Sequence, residues 1–229
     1  MLDLPKTTEN GIEVGIDEAG RGCLWGPLYA AAVIIPENQN EWPQEFAEIA
    51  NLIKDSKKLS SKKRKLILNK IKESGITYGV GIVNHDEIDG HGVTFANQLS
   101  FRRAIDAIPF EKRKKIDIII DGCLGLVETR AGETWKTEID GDAKFLSIAT
   151  ASIIAKESRD AWVDEWCNLH KNAAEKYGFT TSKGYGTLKH RNAIKEHGLL
   201  ECHRRLYCRN IIPGLIVKRY DKEVYNFKD

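Results

Sequence analysis

Four carboxylates carry the chemistry that this sequence could perform. Asp17 and Glu18 are adjacent at the end of the alternating run GIEVGIDEAG (11–20), next to a glycine turn. Asp121 closes the apolar run IDIII (116–120), so its carboxylate falls at the C-terminal end of a buried strand, where α/β folds usually place their sites. Asp142 lies in DGDAKF (140–145), just ahead of a long helical pattern. Judged singly, each acid is more often a turn former or a helix cap, and spacing alone does not bring the four together. Brought together, they would repel one another and raise each other's pKa unless a hard divalent cation, Mg²⁺ or Mn²⁺, supplied compensating charge. An all-oxygen set without His or Cys disfavours zinc, and two such ions could activate water and stabilise the leaving oxygen of a phosphodiester. That is hydrolytic nuclease chemistry.

A second group of residues suits a nucleic-acid partner. Gly20, Arg21 and Gly22 could present backbone N–H groups and one positive charge to a phosphate or ribose, although Gly-Arg-Gly by itself is usually just a turn. Lys54, Lys57, Lys58, Lys62, Lys63, Arg64 and Lys65 form a dense basic run that could contact phosphates or simply solvate a helix face. Tyr185, in SKGYGT (182–187), could stack on a sugar or base and meet a ribose 2′-OH, while a lone tyrosine is more often a packing residue. His203, Arg204, Arg205 and Arg209 could equally bind phosphates or cap a terminal helix. Cys23, Cys123, Trp25 and Trp135 are read as core fillers without chemistry.

The elements that must position these residues follow from periodicity. Residues 11–35 read as two strands joined by a glycine-rich turn, a hairpin with chemistry at its bend. Ser60 is a candidate N-cap for a basic-faced helix that places Leu66, Ile67, Leu68 and Ile71 at helical spacing and stops at Gly75. A strand at 76–83, a helical period over 85–108, a strand at 116–120 and a long helix over 143–170 come next. Small Ala and Ser residues in that last helix permit close approach to the sheet. Beyond Lys171 the sequence predicts a loop with Gly178, Gly184 and Gly186, a short helix near 189–197 and the basic stretch HRRLYCRN. Alternating strands and helices with a hairpin at the start predict an α/β fold built on a mixed sheet.

Composition excludes other classes. The chain has 229 residues and is 41% hydrophobic, enough for a core without staples. Its five cysteines form an odd set with no CxxC pair, against a disulfide framework or zinc site and in favour of a reducing, cytoplasmic location. No run approaches the roughly eighteen apolar residues that would span a bilayer, and the start lacks a signal-peptide pattern, so a soluble protein without a membrane partner is expected. With 35 basic and 33 acidic residues, the net charge of +2 does not announce a polyanion ligand, so charge placement must decide.

Taken together, GIDEAGRG (15–22), DSKKLS (55–60), IIIDG (118–122), GDAKFLSIATASIIAKESRD (141–160) and SKGYGT (182–187) resemble the ribonuclease HII family over residues 12 to 210. The resemblance implies an RNase H-like fold: a mixed five-stranded sheet flanked by helices over 11–170, and a helical C-terminal subdomain over 171–229 forming one wall of the substrate groove. It implies that Asp17, Glu18, Asp121 and Asp142 are the metal-binding catalytic carboxylates, with Asp140 and Asp160 as nearby decoys. It further implies that Gly20, Arg21 and Gly22 read the backbone around a ribonucleotide, that Tyr185 senses the 2′-OH at the junction with DNA, and that Lys57 belongs to a substrate-contacting Asp-Ser-Lys motif. The implied activity is endonucleolytic cleavage of RNA in RNA/DNA hybrids, and of single ribonucleotides in duplex DNA, on the 5′ side of the ribonucleotide. Products carry 5′-phosphate and 3′-hydroxyl ends, in ribonucleotide excision repair or primer removal.

The stretch HRRLYCRN, Trp25 after the glycine motif and the segment LGLVETRAGETWKTEI depart from the common family pattern. A monomer is expected, and the YNFKD end shows no clear clamp-binding tail. Rival readings are ribonuclease HIII, which carries an extra N-terminal domain, a non-catalytic nucleic-acid-binding module or a subunit active only in a complex, and a metal-binding structural protein. Metal-dependent cleavage by the isolated chain separates them.

Overall fold

The computed structural model describes residues 2–4, 11–53, 59–109 and 115–220. Lys54, Lys57, Lys58 and the YNFKD end therefore lie outside the described residues. Five strands form one sheet in the order β3-β2-β1-β4-β5: β1 (Ile12–Ala19), β2 (Leu28–Ile34), β3 (Thr77–Val83), β4 (Ile116–Asp121) and β5 (Glu133–Glu138). The β1–β2 and β2–β3 pairs are antiparallel, while β1–β4 and β4–β5 are parallel, so the sheet is mixed as expected.

Helices cover both faces, and the pleat divides the strand residues between them. Ala31 and Val33 face helices α1 (Gln44–Ile53), α2 (Ser61–Ser74) and α5 (Leu146–Leu169), while Ala30, Ala32, Val14 and Ile16 face α4 (Val93–Asp106). Helix α5 lies so close to β1 that a Cβ on Gly15 would stand 2.4 Å from the Ser147 carbonyl carbon, which is the close approach its small residues permit.

Local signals explain the boundaries. The Ser60 side chain accepts the Lys63 N–H as the N-cap of α2, and Gly75 ends that helix in the left-handed region. Ile67, Leu68 and Ile71 are buried, but Leu66 is exposed, because the apolar stripe is narrower than the four candidates span. The helical period over 85–108 is divided at Gly92 into α3 (His85–His91) and α4. The expected loop after Lys171 instead begins with the short helices α6 (Lys171–Tyr177) and α7 (Phe179–Ser182), separated by Gly178. Helices α8 (Leu188–His197) and α9 (Arg205–Cys208) follow.

Trp25 is the centre of a separate apolar cluster, stacked on Phe179 at 4.1 Å and flanked by Trp162 and Trp166, with its indole N–H donating to the Glu201 carbonyl at 3.0 Å. This joins the α6–α9 region to the end of α5 and to the loop after β1. Cys23 is also buried, whereas Cys123 and Trp135 are exposed and fill no core; the Trp135 indole donates instead to Thr129. Among the described residues no helix is long and apolar enough to cross a membrane.

Candidate active site

The two central strands bring distant acids together. The parallel register of β1 and β4 runs to Ile16↔Ile120, and one residue further stand Asp17 and Asp121. Asp121 pairs with Glu138 across β5, and the chain then turns through a short 3-10 helix, Gly141–Ala143. There the Gly141 N–H donates to Asp121 Oδ1 at 2.7 Å and the Asp142 N–H reaches the same oxygen at 3.4 Å. A Cβ on Gly141 would lie 2.6 Å from Ile148 Cδ1 and 3.2 Å from Asp121 Oδ1, so the turn sits close against the carboxylate.

Asp17 and Glu18 obey the strand alternation to the end of β1. Asp17, opposite Ala31, faces Ser152 on α5, whose side chain favours its charged form; Glu18, opposite Ala30, faces Asn97 on α4 and Arg21 at 3.7 Å. They meet at the strand edge, where the Glu18 N–H donates to Asp17 Oδ1 at 2.7 Å. Burial, reinforced by the charges of Glu18 and Asp121, holds the Asp17 carboxyl well above the ordinary carboxylate range. Burial likewise raises Glu18, opposed by Arg21 and reinforced by Asp121.

Asn97 was not legible as a site residue. Its amide faces Glu18 and favours that carboxylate's charged form, yet among the described residues neither Oδ1 nor Nδ2 has a hydrogen-bond partner of normal geometry although the residue is buried. A polar residue at a core-facing position of the α4 period is the signal that could have found it. Among the described residues no group of three or more His, Cys, Asp or Glu side chains already stands in a metal-holding arrangement. The chemistry of the set nevertheless fits a hard cation: oxygen donors, mutual repulsion, and an orphaned carboxamide beside them.

Gly20, Arg21, Gly22 and Tyr185 line one cavity of about 370 Å³ with Glu18, Arg64, Ser152 and Lys156. Gly20 has φ +86, and a Cβ there would fall 2.1 Å from Arg159 Nε; Gly184 has φ +84 and would meet the Trp25 carbonyl at 2.6 Å. Arg159, buried on α5, is what a side chain on Gly20 would strike, and it donates to the carbonyls of Pro27, Trp25 and Lys183, binding the β1–β2 loop to the Tyr185 loop. Arg204, also buried, donates to the Gly26 and Arg21 carbonyls, and the Tyr207 hydroxyl donates to the latter.

Other candidates divide. Arg64 lines the cavity while donating to Glu157 at 2.7 Å; Lys62, Lys63 and Lys65 are exposed, the last 3.4 Å from Asp164. Asp160 is engaged by Lys156 at 2.6 Å and Asp140 is an exposed left-handed residue, so neither decoy joins the acids above. His203 and Arg204 are buried, whereas Arg209 is exposed. A second cavity of about 310 Å³, lined by Glu13, Asp117 and Trp135 among others, shares none of these residues.

A mixed five-stranded sheet of this order, helices on both faces and acids at the ends of its two central strands define the ribonuclease H-like class of fold. The chain belongs to the ribonuclease HII family, whose model matches residues 14–210, and it is accordingly a ribonuclease H. It is 40% identical over 205 residues to ribonuclease HII of Prochlorococcus marinus, covering 90% of this chain and 93% of that one. The structure of ribonuclease H2 from Pyrococcus horikoshii is similar with a TM-score of 0.65 and 26% identity, covering 87% of this chain and 96% of the other. The structure of Bst-RNase HIII in complex with Mn²⁺ shares the fold at a TM-score of 0.57 and 24% identity, over 82% of this chain and 63% of that one.

Proposed function

We propose that this ribonuclease H cuts RNA paired with DNA, down to a single ribonucleotide embedded in duplex DNA, on the 5′ side of the ribonucleotide. The observation that carries the reading is the shared cavity: Tyr185, half-exposed, and the Gly20–Gly22 loop face it together with Glu18, so a ribose held there lies beside the acids. The Tyr185 hydroxyl meets the 2′-OH, and the loop's backbone and Arg21 take the adjoining backbone. Asp17, Glu18, Asp121 and Asp142 would hold Mg²⁺ or Mn²⁺, two ions during catalysis; the structurally similar RNase HIII has been solved in complex with Mn²⁺. Such an ion supplies positive charge to the phosphoryl oxygens and to the carboxylates that burial leaves in mutual repulsion. Water attacks phosphorus and gives up a proton, the P–O3′ bond breaks, and the departing 3′-oxygen takes up a proton, leaving 5′-phosphate and 3′-hydroxyl ends.

Residues 171–229 act as a subdomain appended to the 11–170 core and form part of the groove wall, and Lys57, in the Asp-Ser-Lys motif, is a further substrate contact. The chain works as a monomer in the cytoplasm, in removal of misincorporated ribonucleotides or RNA primers. The experiment is cleavage of a labelled DNA duplex containing one ribonucleotide, beside all-DNA and continuous hybrid controls, with Mg²⁺ and with EDTA. A metal-dependent cut 5′ to the ribonucleotide is expected. Cutting of the continuous hybrid alone would move the chain to another ribonuclease H specificity.

A further inference from the structure

Two buried imidazoles lie behind the Tyr185 loop. His190 and His203 are 0% and 2% exposed, and their Nε2 atoms stand 3.0 Å apart. His190 Nδ1 is 2.9 Å from the Tyr185 carbonyl oxygen, which also accepts the Thr187 N–H at 2.8 Å and so closes a tight turn. A carbonyl oxygen only accepts, so His190 Nδ1 carries a proton and, in the neutral ring, its Nε2 is bare. That bare nitrogen needs a donor, so His203 carries its proton on Nε2. His203 Nδ1 is then bare, and the Leu200 N–H donates to it at 2.8 Å.

The reverse order of protons would set a bare His190 nitrogen against the Tyr185 carbonyl and lose the 2.8 Å bond from the Leu200 N–H, with only the longer 3.1 Å contact of His203 Nδ1–H to the Leu200 carbonyl in exchange. The Leu200 carbonyl, 3.1 Å from His203 Nδ1, already accepts the His203 backbone N–H. The walls are aromatic, with Phe179 4.9 Å from His190 and Tyr177 5.5 Å from His203. Burial accordingly depresses both imidazoles, His203 to about 4.

We propose that His190 and His203 are positioning residues for the substrate-reading loop: a one-directional relay of neutral imidazoles, anchored on the Leu200 backbone, that fixes the Tyr185 carbonyl and through it the direction of the tyrosine ring. The inference rests on the reading of Tyr185 as the ribose sensor. The first test is two-bond ¹H–¹⁵N imidazole spectroscopy of the full chain at about pH 6, just below the ordinary histidine pKa of about 6.5. The expected result is two neutral rings, protonated at Nδ1 in His190 and at Nε2 in His203; a protonated pair or the opposite tautomers would overturn the relay.

The second test compares His190→Asn, which keeps a donor near the Nδ1 position, with His190→Gln and His190→Leu, which do not. On the single-ribonucleotide duplex, Gln and Leu should lower kcat roughly 10- to 100-fold with KM little changed, as is typical when an outer supporting group is lost, while Asn retains most of the rate. Wild-type kcat in all three, or equal loss in all three, would overturn the positioning role. Tyr185→Phe is assayed alongside. Should it behave as wild type, the reading of Tyr185 fails, while the spectra and the kcat order still decide the relay.

Discussion

The wholly buried Arg204 donates from Nη1 to the carbonyl of Arg21 at 2.9 Å, so a residue from the C-terminal region supports the backbone of the glycine loop beside the acids. Its Nε holds the Gly26 carbonyl in the same way, and its Nη2 has no hydrogen-bond partner among the described residues. Carbonyl dipoles offset part of the cost of burying the cation, and burial still pulls its pKa down to about 10. Removing the donors in Arg204→Met should cost roughly 1.5–3 kcal/mol, the typical worth of a hydrogen bond to a charged group. The freed loop should also raise KM for a ribonucleotide-containing duplex. Urea denaturation and steady-state kinetics check both, and unchanged KM would reduce Arg204 to a stability residue.

Asp121→Asn preserves shape and can still accept the Gly141 N–H. It removes one negative charge from the acid set, so cleavage should fall by more than the roughly 100-fold that supporting groups usually cost. Duplex binding and Tm should stay close to wild type. Retained turnover would remove Asp121 from the catalytic set.

The raised pKa of Asp17 has a defined sign in stability. A carboxyl whose folded value lies above its unfolded one contributes stability that is complete below the ordinary value, about 3.9, and is lost as pH rises through the raised folded value. In the metal-free protein Asp17→Asn should therefore raise Tm at neutral pH, and the gain should disappear below about pH 4. Mg²⁺ or Mn²⁺ should raise Tm of the wild type more than that of the variant. An Asn variant equally destabilised at both pH values would show that the carboxylate is held by its hydrogen bonds and not opposed by burial.

Tyr185→Phe keeps the ring and removes the hydroxyl from the cavity edge. Turnover at a single ribonucleotide should fall more than duplex affinity does, by an amount near the roughly 1–3 kcal/mol left when a buried polar group loses its partner. Measured kcat and Kd on the same duplex separate the two. Equal losses on every substrate would assign the ring to packing.

The sequence by itself determined the elements whose signals are local. Ser60 and Gly75 bound α2 through a side-chain cap and a left-handed residue, and the alternation around Ile16 and Ile120 marks strands with acids at their ends. It missed α6 and α7, which are too short for a helical period to register, and β5, whose ETWKTE is an edge strand with little burial to create an apolar pattern. Motif order also carried the family, because Asp17, Glu18, Asp121 and Asp142 sit in runs that resemble it. Only the tertiary structure decided that Asp17 and Asp121 are neighbours, since a parallel register between strands about a hundred residues apart is set by packing against α4 and α5. It alone brought Asn97, Arg159, Arg204 and the His190–His203 pair against Glu18 and the loops that carry Arg21 and Tyr185. Their partners are mostly backbone carbonyls or groups remote in the chain, and a carbonyl looks the same at every position of a sequence until folding aims it.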